Sequence, residues 1–144
     1  MHALAIALYL AVIRAANERN PAEVDRLASD LIELSTRHNF SWFIAMGAVW
    51  RGWARSASGD TAGGIPWIEQ GIAANRATGA MLGMPSLLGV MAQALHLANR
   101  TSEALEVTNE AEALAERFEL RYFSAELHRL RAVFLAAMGA EEAH

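Results

Sequence analysis

The chain has 144 residues, 53% of them apolar and 19% charged; that is one domain's worth of sequence, able to bury about two-thirds of its unfolded surface without a disulfide or a metal. Cysteine is absent, which excludes disulfide scaffolds, thiol nucleophiles and thiolate zinc sites. All 12 basic residues are Arg, so a Schiff-base lysine and a phosphate-loop lysine are excluded too, and the net charge of −4 argues against nucleic acid as a partner.

In chain order, the apolar run from Ala3 to Ile13 is too short to span a bilayer, which needs about 20 such residues. It has no basic residue before it and no clear cleavage site after it, and is read as a buried, alanine-rich helix over 2–18. A second helix is predicted over 21–37, with Asn20 as cap, Pro21 in the first turn and Glu23 facing the helix dipole. Helices over 40–58, 62–78 and 82–98 follow, then one over 102–117 opened by Thr101 or Ser102, and one over 121–138. Pro66 and Pro85 predict late or irregular starts for the fourth and fifth helices. No sustained alternation supports a strand. Cytoplasmic is the default location, with no membrane partner expected.

The helices are punctuated at a fixed interval. Breaks at Arg19-Asn20-Pro21, Gly59-Asp60-Thr61, Asn99-Arg100-Thr101 and Gly139-Ala140-Glu141 stand forty residues apart. The same step aligns Val12, Gly52, Ala92 and Ala132, then Val24, Gly64 and Ala104, then Leu31, Gly71 and Ala111. Small residues at fixed places let two antiparallel helices approach closely. The expectation is an all-α, right-handed superhelix of antiparallel hairpins, about seven helices in a single domain over 1–144. Its repeats cover 2–38, 40–79 and 82–118, with a capping helix over 121–138, and the whole is expected to be a fragment of a longer protein. Apolar end faces exposed by such a cut could pair in a homodimer.

No catalytic constellation is visible, so the chain is expected not to be an enzyme and to hold no cofactor or metal. The histidines are scattered. His128 is read as structural, Glu126 and Arg129 as an ion pair, and the acids from Glu103 to Glu116 as a solvated face. The more interesting set is aromatic and basic. Trp50 and Trp53 share a helical face, and Arg51 and Arg55, four apart, project together. Gln93 and His96 sit three apart on a mostly apolar helix. If first helices line a concave groove, Trp50, Arg51, Arg55, Gln93 and His96 are the candidate residues for a partner, and the arginines suit a carboxylate or an acidic peptide. An ordinary ion pair of the arginines with Glu69 or Asp60 is the alternative. Met46, Met81, Met84 and Met91 offer an adaptable lining for a small ligand, or simply fill the core.

The small-residue pattern Gly52…Gly59-Asp60…Gly64…Gly71, with Leu88…Met91-Ala92…Leu95…Ala104…Ala111, resembles tetratricopeptide repeats (TPR), although the period exceeds the usual ~34 residues and Arg51 and Arg55 fill places expected to be bulky. Residues 40–138 more closely resemble the C-terminal helical-repeat region of bacterial adenylate cyclase-like and signal-transduction ATPase multidomain proteins. The stretches that carry this are Arg51-Gly-Trp-Ala-Arg-Ser-Ala-Ser-Gly-Asp60, Gly64-Ile with Gly71-Ile, Thr78-Gly-Ala-Met-Leu-Gly-Met-Pro85 and Ala125-Glu-Leu-His-Arg-Leu-Arg131. The resemblance implies a non-catalytic module that binds a protein or peptide, or other domains of its parent chain, in sensing or regulation. A small-ligand sensor is the other reading.

Overall fold

A computed structural model describes residues 1–142 of the chain. Seven α-helices follow in order: α1 (His2–Asn17), α2 (Pro21–His38), α3 (Ser41–Ala57), α4 (Thr61–Ala77), α5 (Met84–Leu97), α6 (Thr101–Arg117) and α7 (Ser124–Glu142), the last preceded by a 3-10 turn at Arg121–Phe123. No strand occurs among the described residues, and none of these helices is long and apolar enough to cross a membrane. Each helix packs chiefly on its sequence neighbours, so the all-α stack of hairpins expected from the repeat is the observed architecture.

The local cause of the repeat is visible in the backbone. Positive φ recurs at Arg19, Asn39, Gly59, Gly79, Asn99 and Glu119, one left-handed residue in every twenty. A left-handed residue just past a helix end turns the chain back and lets the next amide satisfy an orphan carbonyl. Five of the six turns close this way: the amides of Asn20, Phe40, Asp60, Arg100 and Leu120 donate to the carbonyls of Ala15, Ser35, Arg55, Leu95 and Ala115. The α4–α5 link is the exception. There Thr78 Oγ1 donates to the Asn75 carbonyl at 2.6 Å, and the Ala80 carbonyl accepts from Asn75 Nδ2 at 3.2 Å. Side chains do what the backbone does elsewhere, and the link is longer. Two helix starts carry side-chain caps, Asn20 accepting from the Glu23 amide at 3.3 Å and Asp60 from the Gly63 amide at 2.9 Å.

The forty-residue step holds in the core. Val24, Gly64 and Ala104 are buried, as are Ala28, Ile68 and Thr108, Leu31, Gly71 and Ala111, and Ser35, Asn75 and Ala115. These four rows are the inner face of the second helix of each hairpin. Contact is closest between α3 and α4. A methyl group placed on Gly52 would sit 2.5 Å from the Gly64 carbonyl oxygen and 2.6 Å from Ile68 Cγ1. The close approach requires glycine there.

Three expectations need correction. The helix containing Pro66 does not start late: α4 begins at Thr61 and continues through Pro66. Proline there removes only the hydrogen bond to the Ala62 carbonyl, close to the N-terminus and on an exposed residue, where water can replace it. Pro85 does stand in the first turn of a late-starting α5. The fourth break is absent, because α7 runs through Gly139, Ala140 and Glu141 to Glu142. The capping helix also starts later than expected, at Ser124. Ala132, which the forty-residue step aligns with buried Gly52 and Ala92, is exposed on α7, where no further helix follows among the described residues.

Candidate functional site

One cavity of about 960 Å3 opens between the first helices of the hairpins. Its walls are set by the repeat. Ile13, Trp53 and Gln93 occupy one repeat position; Met46, Ser86 and Glu126 another; Trp42, Leu82 and Tyr122 a third; Trp50 and Val90 a fourth. Equivalent positions on successive first helices face the same space because forty residues bring the chain once round a hairpin and back to the same orientation.

The wall is mainly aromatic. Tyr9 from α1 meets Trp42 from α3 edge to face, ring centres 5.3 Å apart, and Trp50 meets Trp53 at 6.0 Å. Such offset contacts hold the rings rigidly. The polar groups of the wall are mostly tied to one another. Trp53 Nε1 donates to Gln93 Oε1 at 3.4 Å. Ser86 Oγ donates to the Tyr122 hydroxyl at 3.2 Å, and that hydroxyl donates to the Leu82 carbonyl at 2.6 Å. Trp50 Nε1 is buried and has the Tyr9 hydroxyl beside it as an acceptor, outside the geometry of a full hydrogen bond. Burial pushes the Tyr9 phenol above the ordinary tyrosine range, with the Trp50 indole opposing the shift.

Charge is confined to three lining residues: Arg19 on the α1–α2 turn, and Glu126 and Arg129 on α7. Arg129 grips Glu126 with two hydrogen bonds of 2.8 and 2.6 Å, the ion pair expected from their spacing. That grip holds the Glu126 carboxyl below the usual carboxylate range, and the charge of Arg19 adds to the effect. The α1–α2 turn and α7 therefore bring their charges to one end of the cavity. Arg19 itself makes no ion pair among the described residues.

Of the residues singled out in the sequence, Trp50 and Gln93 line this cavity. Arg51 and Arg55 lie off it. Arg51 Nε pairs with Asp25 Oδ1 of α2 at 3.2 Å, in place of Glu69 or Asp60, and its guanidinium stands 4.8 Å over the Trp67 ring; that of Arg55 stands 5.7 Å from the same ring. The reason is helical geometry: at 100° per residue, the arginine pair points about 150° away from Trp50 and Trp53. His96 also turns away, its Nδ1 3.0 Å from Thr101 Oγ1 and its ring 5.1 Å from Phe134. Tyr9, Arg19 and Tyr122 were not among the candidates; stepping by forty from Trp42 points to Tyr122, whereas no periodic signal marks Tyr9 or Arg19. On the outer side, Glu103 pairs with Arg100, Glu110 with Arg76 at 2.6 Å, and Glu112 with Arg131 and, at 3.6 Å, His128. Among the described residues no three His, Asp or Glu side chains come together as a metal site.

No family model matches the chain, and no solved structure matches it. The chain is similar to an uncharacterized protein of Rhizobium meliloti (strain 1021), 30% identical over 113 residues. The match covers 78% of the chain but only 11% of that protein, so the chain corresponds to a small part of its relative's length.

Proposed function

We propose that the chain is a non-catalytic helical-repeat module that senses a ligand held between the first helices of its hairpins. The observation that carries this reading is the cavity of about 960 Å3, walled by aromatic side chains at equivalent positions of successive repeats. Its size falls at the upper end of the ~300–1,000 Å3 usual for small-molecule sites. It has the makings of a binding site, an apolar wall with a few convergent polar groups, and lacks a nucleophile with an adjacent base. The small-ligand reading is favoured over a protein or peptide partner because Gln93, Asn75, Ser86 and Tyr122 are already hydrogen-bonded within the chain. Few groups are left to receive the amides of an extended peptide.

The parent context belongs to the same proposal. The module reports to other domains of a longer protein, of the adenylate cyclase-like or signal-transduction ATPase kind, as a right-handed TPR-like superhelix. The resemblance of Ala125–Arg131 and the three other stretches supports this, as does a relative of which the chain spans 11%.

A thermal-shift screen of small organic molecules tests the reading. A true ligand at a hundred times its Kd stabilises by about 2.7 kcal/mol, and Ser86→Trp, which fills the cavity from a half-buried position on α5, abolishes that shift while leaving the helical circular dichroism intact. The reading falls if no compound stabilises the chain, or if the hits stabilise Ser86→Trp equally.

A further inference from the structure

We infer that the cavity selects a small amphiphilic monoanion, a flat apolar body ending in a carboxylate, with the anionic end held by Arg19 and Arg129. The inference rests on the sensing reading above and adds the chemistry of the ligand.

Charge complementarity carries it. The chain as a whole has a net charge of −4, yet its cavity holds two guanidinium groups against one carboxylate. Glu126 is spoken for by Arg129 through both its oxygens, and Arg19 makes no ion pair among the described residues. The excess is a single positive charge at one end of a mainly apolar space, which matches one anion and no more. Guanidinium groups present planar pairs of donors suited to a carboxylate. A second donor is already placed, since Trp50 Nε1 is buried in the wall with only a poorly aligned contact to the Tyr9 hydroxyl.

The backbone at Arg19 is the independent observation. Its φ is 54°, a left-handed conformation that a residue with a Cβ adopts only at an energetic cost. The equivalent residues of the next two hairpins are Gly59 and Asn99, the types that tolerate this conformation best. Turn chemistry therefore does not account for an arginine. Its side chain lines the cavity and its charge reaches Glu126. Glu119 shares the left-handed conformation at the turn that follows the third hairpin, where its equivalents are Asn39 and Gly79, and does not line the cavity.

The body of the ligand follows from the wall. Trp42, Trp50, Trp53 and Tyr122 supply rigid faces for a flat ring system. A cationic ligand would gain from those faces but meet two arginines, and a polyanion would exceed the available positive charge.

The test uses naphthoate, its neutral isostere naphthamide and the cation naphthylmethylammonium, titrated against the intact chain by calorimetry and tryptophan quenching. Naphthoate is expected to bind at least tenfold more tightly than naphthamide, and the cation more weakly than either. Arg19→Asn keeps a residue suited to the left-handed turn, so it should fold at least as stably as the parent chain; it is expected to weaken naphthoate about tenfold and leave naphthamide unchanged. Equal binding of naphthoate and naphthamide, or an Arg19→Asn variant that keeps the preference, overturns the anion assignment while leaving the cavity as a binding site. Binding of these probes that Ser86→Trp does not diminish places them elsewhere and removes the sensing reading as well. Failure of all three probes to bind at millimolar concentration also overturns the inference, and tight binding of a peptide C-terminus without any naphthoate binding assigns the arginines to a protein partner instead.

Discussion

Arg19 and Glu119 share a backbone conformation, and their side chains have different surroundings. Both follow a helix with φ near +55°, so both are strained for residues with a Cβ. Arg19 faces the cavity; Glu119 is exposed and makes no ion pair among the described residues. Strain that serves no contact should be removable. Glu119→Gly is expected to raise stability by about 0.5–1 kcal/mol, the relieved strain exceeding the extra entropy of glycine in the unfolded chain. Denaturant unfolding measures this, and a lower midpoint would show that the Glu119 side chain contributes a contact that its exposure conceals. At this scale the sequence was only half legible. Gly59 and Asn99 advertise left-handed turns, but Arg19 and Glu119 do not, and their conformation emerges only from the twenty-residue spacing.

Helix pairing depends on what is missing from side chains as much as on what they contain. Gly52 and Gly64 bring α3 and α4 so close that backbone atoms of each form the wall met by the other. Alanine is a better helix former than glycine by about 1 kcal/mol. Gly52→Ala is nevertheless expected to lower stability by about 1–3 kcal/mol, because the new methyl meets a carbonyl oxygen and cannot be accommodated by a rotamer change. Thermal unfolding of the variant checks this; a rise in Tm would mean that α3 and α4 can separate without loss. Helix number, order and most boundaries were readable because caps, prolines and small residues mark them locally. The outward direction of Arg51 and Arg55 was misjudged when they were grouped with Trp50 in one groove, although the angle between them and the tryptophans follows from spacing alone. The break expected at Gly139 was not a break because glycine permits a turn without compelling one: Gly139 does not take a positive φ, and α7 continues through it to Glu142.

For the molecule as a whole, the cavity exists because equivalent positions of successive hairpins face one space. That makes it a property of phase. Adding one residue inside a helix rotates everything beyond it by about 100°, which would swing Gln93, Tyr122 and Arg129 away from Trp50. An extra Ala between Leu88 and Gly89 is expected to abolish cooperative unfolding, whereas an extra Gly between Met81 and Leu82, in the link closed by side chains, should shift Tm by only a few degrees. Circular dichroism melts distinguish the two, and equal tolerance would show that the hairpins do not depend on mutual register. The cavity's aromatic wall was partly foreseeable from the forty-residue step, but its charged end was not, since Arg19 and Arg129 stand far apart along the chain and meet only when the stack is assembled. The regular cadence of left-handed residues thus makes length itself a discrete variable: the chain can grow or shrink by whole forty-residue hairpins, or by slack in the single loose link, but not by ones and twos anywhere else.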